Sequence, residues 1–189
     1  ALETEWDLDI YDAVEMDYHQ DDEAAIESFL ATADFDYAVG SVHEIDGVNV
    51  HMAGPFEEHS RSERRDIVEE YFDRLEALVR SELFEIAAHP DIIERNEVFR
   101  GMPGPAEYRR IAEAFAESRT IPEINAGRID SDYGHFHPRA EFLEMLIDHG
   151  VEVTVGTDAH QPDAIRERVP SIRAMLEDRR LEPTSPFEV

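Results

Sequence analysis

The stretch VEVTVGTDAH, residues 151–160, decides the fold. Val151, Val153 and Val155 alternate with other residues, the period-two signature of a strand that buries one face. Gly156 closes the run, and Asp158 and His160 follow at once. In parallel α/β sheets the carboxyl ends of the strands share one face. A carboxylate and an imidazole at such an end are therefore candidates for a site to which other strand ends contribute.

The same event recurs upstream. YDAVEMD (11–17), DYAVGSVH (36–43), LFEIAAH (83–89) and TIPEINA (120–126) read as strands, with Pro122 near the start of the last, and amphipathic stretches separate them. DDEAAIESFLA opens with acids suited to a helix N-terminus and repeats apolar residues at Ala25, Ile26, Phe29 and Leu30. A loop with Gly47, Gly54 and Pro55 leads to a helix from about Ser62 to Arg80, striped by Ile67, Val68, Tyr71, Phe72, Leu75, Leu78 and Val79. After the turn-forming GMPGP, Tyr108, Ile111, Ala112 and Phe115 mark another helix. Pro138 is expected in the first turn of a helix that buries Phe142, Leu143, Leu146 and Ile147 and stops at Gly150. Segment 162–180 contains Pro170, so a kink or two helices is expected there. No linker or repeat divides the chain, and the alternation implies one α/β domain with a parallel sheet. Five strands do not close a barrel comfortably.

Composition narrows the chemistry. Among 189 residues, 45 Asp and Glu oppose 17 basic residues, all arginine, for a formal charge of -28. Such a surface repels nucleic acid and anionic lipid. The acids are interleaved with apolar residues, which argues for a folded chain working in high salt, where repulsion is screened. A calcium-storage protein is the rival, but no loop of alternating oxygen ligands with a central Gly and terminal Glu is present. Cysteine is absent, so disulfides, thiolate catalysis and Cys-based metal sites are excluded and any metal must use imidazole and oxygen. No apolar run reaches the roughly 18 residues that span a bilayer. The expected address is the cytoplasm. No phosphate loop, dinucleotide glycine fingerprint or GxSxG elbow occurs.

Metal-grade residues recur at the strand ends: Glu15 in the first strand, His43 at the end of the second, His89 at the end of the third, then Asp158 and His160. Each alone is read most simply as a paired or solvated side chain. Together, three imidazoles and two carboxylates can neutralise divalent cations, with Glu15 able to bridge two of them. Arg128, after EINAG, can meet a phosphate through two N–H groups or form an ordinary surface ion pair. His51, His59, His135 and His137 fall in loops, where they could contact substrate or metal but are expected to be exposed. Arg100 and Arg139 are poorer candidates for substrate contact, and His19 and His149 have weaker claims on a site.

AVEMDY, DYAVGSVHEIDG, IAAHPDII, EINAG and VTVGTDAH, in that order over most of residues 11–161, resemble the polymerase and histidinol phosphatase (PHP) superfamily, nearest its histidinol-phosphatase type. The resemblance implies a distorted TIM-like (β/α)7 barrel with up to three Zn, Mn or Fe ions that hydrolyses phosphomonoesters, here a phosphorylated small molecule such as histidinol phosphate in histidine biosynthesis. It assigns Glu15, His43, His89, Asp158 and His160 as metal and catalytic residues and brings Arg128 near the phosphate. Members of the family begin with a His-x-His strand, whereas no histidine precedes Glu15. The chain is thus expected to be a single PHP-like domain of about five strands, 1–189, lacking the first two. A missed upstream segment or another subunit would complete the site. A shortened, inactive metal-binding module and a nuclease-like hydrolase acting on nucleic-acid ends are the alternatives.

Overall fold

The computed structural model describes residues 9–186. In chain order the elements are β1 (Ala13–Asp17), α1 (Glu23–Leu30), β2 (Tyr37–Ser41), β3 (Glu44–Ile45), β4 (Val48–Asn49), α2 (Arg61–Ser81), β5 (Ile86–Ala87), α3 (Pro105–Ala116), β6 (Ile121–Asn125), α4 (Ala140–Asp148), β7 (Thr154–Gly156) and α5 (Pro162–Arg179). β1, β2, β5, β6 and β7 lie side by side in that order, and every neighbouring pair is parallel. Among the described strands the order never reverses, so there is no switch point of the doubly wound kind. Crossovers of one hand repeated in one direction build a barrel wall, with strand exits along one rim.

Local sequence explains the elements that position the rim. α2 begins with a reciprocal capping box: Ser60 Oγ accepts from Glu63 N at 3.3 Å and the Glu63 carboxylate accepts from Ser60 N at 2.7 Å. Its Val68, Tyr71, Phe72, Leu75, Leu78 and Val79 are buried, as their helical spacing predicts. α3 packs on α2 and α4 on α3. Tyr108 stacks on Phe142 at 4.7 Å between ring centres, and Phe72 meets both edge-on. The main core thus lies between these helices and the sheet, and a smaller one gathers Ile124, Leu143 and Val153.

Several expectations are corrected. The strand read at 83–89 is only Ile86–Ala87, and its far end is set where His89 turns the backbone to φ 29°. The strand of the opening stretch is Thr154–Gly156: Val151 N bonds Leu146 O at 3.1 Å and is spent closing α4, so pairing starts later. Pro138 precedes the cap residue Arg139 and lies outside the first turn of α4. Pro170 sits within one unbroken helix, not between two. The loop expected around Gly47 contains a hairpin, β3 with β4, turned by Asp46 and Gly47 at φ 51° and 73°. Asp-Gly is the pair that a two-residue turn of this hand prefers.

Candidate metal centre

β1 has Val14 and Met16 packed on the core, and alternation sends Glu15 and Asp17 to the opposite face. β2 pairs with β1 so that Asp17 lies beside Ser41. His43 leaves β2 two residues later, and its backbone N–H donates to Asp17 Oδ1 at 2.7 Å. β5 delivers His89, buried at 5% exposure. One carboxylate oxygen of Glu15 and one ring nitrogen each of His43 and His89 lie within 4.8 Å of one another.

The spacing fits a shared divalent ion. Glu15 Oε1 is 3.7 Å from His43 Nε2 and 3.4 Å from His89 Nε2, longer than a strong charge-assisted bond. Two donors each about 2.1 Å from a tetrahedral ion stand about 3.4 Å apart. Ser41 Oγ lies 3.1 Å from His43 Nδ1, a contact that orients the ring and leaves Nε2 toward the cluster. The donor set, two imidazoles and a carboxylate, is of the kind that holds a divalent ion.

Electrostatics point the same way. The hydrogen bond with His89, opposed by burial, holds the Glu15 carboxyl below its ordinary range. Burial alone would lower His89, but Glu15, Glu123 and Asp158 together raise it. Burial and the His89 charge push His43 down against the pull of Asp17, Glu15 and Asp158. The carboxylates around His89 thus favour positive charge at the cluster.

The remaining residues line the same cleft, of about 300 Å³. Asp158 is partly buried at φ 48°. His160 is 83% exposed at the side chain and turns its Nδ1 toward Asp158, 3.5 Å from Oδ1. These two share the cleft without joining the three-residue cluster. Arg128 faces the cleft together with Arg95, which sequence reading passed over. Among the described residues, neither guanidinium makes an ion pair. Burial and the charge of Arg128 pull Arg95 below the usual arginine range.

Asp17 and His51 also line the cleft. Asp17 was legible from the period of two after Glu15. His51, expected to be exposed, is half-buried with its ring 6.2 Å from that of His43, because the β3–β4 hairpin folds it back. Burial and the charge of Arg95 lower it to about 4. His137, also expected to be exposed, is buried, with Nδ1 2.6 Å from Asp91 Oδ1. His135 is exposed. His19 caps the short turn before α1. His149 Nδ1 contacts Met145 O at 2.7 Å at the end of α4. Arg100 and Arg139 line a separate cavity beside Glu94.

Known proteins share this fold. A crystal structure of histidinol phosphate phosphatase from Lactococcus lactis, complexed with zinc, L-histidinol and phosphate, superposes with a TM-score of 0.73 over 99% of this chain and 73% of that one, at 21% identity. This chain has the PHP-type fold. A protein named "Probable histidinol-phosphatase" from Deinococcus radiodurans is 23% identical over 159 residues, which is 84% of this chain. The chain spans 60% of the length of that relative. No family model matches. The five parallel strands correspond to the wall of the distorted PHP-type barrel, and the Glu15, His43 and His89 cluster lies at the carboxyl rim of that wall. Among the described residues no helix is long and apolar enough to cross a membrane.

Proposed function

We propose that this chain is a divalent-metal-dependent phosphomonoesterase whose first substrate to test is histidinol phosphate. The observation that supports it most is the convergence of Glu15, His43 and His89 in one cleft with Arg95 and Arg128, two guanidiniums without carboxylate partners. In a chain with 45 acidic and 17 basic residues, unpaired arginines in a cleft are a reserved anion site. A bound Zn, Mn or Fe ion would supply Lewis acidity toward phosphorus and lower the pKa of water. Glu15, His43 and His89 would hold it. Arg95 and Arg128 would orient the phosphoryl oxygens and oppose the charge that develops on them. Asp158 and His160 would serve further ions only with donors brought by another subunit or by additional chain.

A second reading, a metal-binding module without turnover, is favoured by one observation: Asp158 and His160 remain outside the cluster and His160 is 83% exposed. Metal stoichiometry and phosphatase assays on the same preparation in high salt separate the two. Histidinol phosphate, a generic aryl phosphate and a 3′-phosphorylated DNA end are the substrates. Metal-dependent turnover of histidinol phosphate that falls at least about a hundredfold in Glu15→Gln and in His89→Ala is expected, the scale of losing an electrostatic group aimed at the transition state. Full turnover in both variants sinks the proposal, and one tight ion without turnover selects the module.

A further inference from the structure

His89 and Asp158 are both non-glycine residues with left-handed backbones, at φ 29° and 48°. Such conformations are strained and persist only where the surroundings fix them. For Asp158 the fixing group is visible: Arg168 of α5 donates to Thr157 O at 2.8 Å and to Asp158 O at 2.9 Å. For His89 it is Glu123, whose carboxylate accepts from His89 N at 3.2 Å across the gap between β5 and β6.

Glu123 does more than meet one N–H. Its Oε2 also accepts from Asn125 Nδ2 at 2.8 Å, and Asn125 Oδ1 accepts from Gly127 N at 2.7 Å. The side chain lies across the backbone of Gly156 in β7, where any Cβ would overlap Glu123 Oε1. At Gly127 a Cβ would overlap Asp158 Oδ2 and come within 2.9 Å of Asn125 Oδ1. The glycines of EINAG and VTVGTDAH are therefore the spaces that two carboxylates occupy. One polar chain, Glu123 to Asn125 to Gly127 N, runs from the backbone of His89 to the glycine beside which the Asp158 carboxylate lies.

We propose that Glu123 is a positioning residue, not a metal ligand: it clamps the backbone of His89 so that Nε2 faces Glu15, and Gly156 is required because the clamp passes over it. This rests on reading the cleft as a metal site. A side chain at 156 must push Glu123 aside, although residue 156 contributes no ligand. Glutamine at 123 keeps one oxygen for His89 N–H and replaces the other by an amide nitrogen. Aspartate keeps the charge but is one methylene too short to span the same gap.

Two measurements on the full chain test this. Amide hydrogen exchange of His89 without metal reads the clamp alone: protection is expected to fall in Glu123→Ala, Glu123→Asp and Gly156→Ala and to persist in Glu123→Gln. Zinc and manganese titrations read its effect on the site. A loss of about 10–100-fold in affinity is expected for the first three variants, the usual scale for an outer-shell partner. Glu123→Gln should stay within about tenfold of the parent. The Glu123→Ala/Gly156→Ala double variant should be no worse than either single one, since both remove one interaction. Should Glu123→Ala fail to fold, Glu123→Asp and Gly156→Ala carry the comparison. Parental His89 exchange together with parental metal affinity in Gly156→Ala and Glu123→Asp overturns the proposal. A parent that binds no divalent ion while its His89 amide still depends on Glu123 overturns the metal reading and leaves the clamp standing.

Discussion

Glu94 is a carboxylate that folding places at 1% exposure, held by Gly101 N at 3.0 and 3.2 Å and contacted by Tyr108 Oη at 3.4 Å. Burial pushes its carboxyl up, and the nearby Asp91 adds to the shift, against the Gly101 hydrogen bonds and the Arg139 charge. The folded pKa thus lies above the unfolded one. The folded chain then binds the proton more readily, so stability falls as pH rises from the unfolded value through the folded value. Glu94→Gln is expected to be more stable than the parent at pH 7, with the difference closing toward pH 4. Urea midpoints at several pH values check this; a parent at least as stable as the variant at pH 7 refutes it. Glu94 was not legible as such a residue, because nothing in DIIERN announces that its 3-10 turn is buried. Glu15, His43 and His89 were legible, since each follows a strand pattern and parallel topology brings strand ends together. Arg95, His51 and Glu123 were not. Their places depend on a turn, a hairpin and a gap between strands that only tertiary packing defines.

At the scale of elements, the long amphipathic helices were the easiest reading and the short strands the hardest. α2 carries a full stripe of buried side chains and a capping box, so period and cap agree. β5 has two residues and β7 three, too few for alternation to fix their ends. The β3–β4 hairpin is signalled only by Asp-Gly between EI and VN, since arms of two residues are too short for alternation to mark them as strands. The cap of α2 gives a direct test. Ser60→Ala removes the acceptor for Glu63 N and is expected to cost about 1 kcal/mol. It should appear as a lower urea midpoint at unchanged slope. An unmoved midpoint would mean that the stripe alone sets where α2 begins.

Across the whole molecule the governing quantity is charge, -28 over 189 residues. Arginines are set against pairs of acids: Arg80 meets Glu76 and Glu117, Arg110 meets Asp73 and Glu76, and Arg74 meets Glu70 and Asp46. With 17 arginines for 45 acids, negative charge is in large excess and the carboxylates repel one another through solvent. The range of that repulsion shrinks from about 10 Å at 0.1 M salt to about 3 Å at 1 M. The melting temperature is therefore expected to rise between 0.1 and 2 M NaCl, on the order of 5 °C for each 1–2 kcal/mol of repulsion removed in a chain of this size. KCl at equal ionic strength should act alike if screening is the cause. The same field opposes entry of an anion into the cleft, so under the phosphomonoesterase proposal KM for histidinol phosphate is expected to fall over that range while kcat changes less. Scanning fluorimetry and steady-state kinetics across the salt series read both effects. A melting temperature that is flat or falls with NaCl shows that the acidic surface is not the destabilising term, and a KM indifferent to salt shows that Arg95 and Arg128 shield the cleft from it.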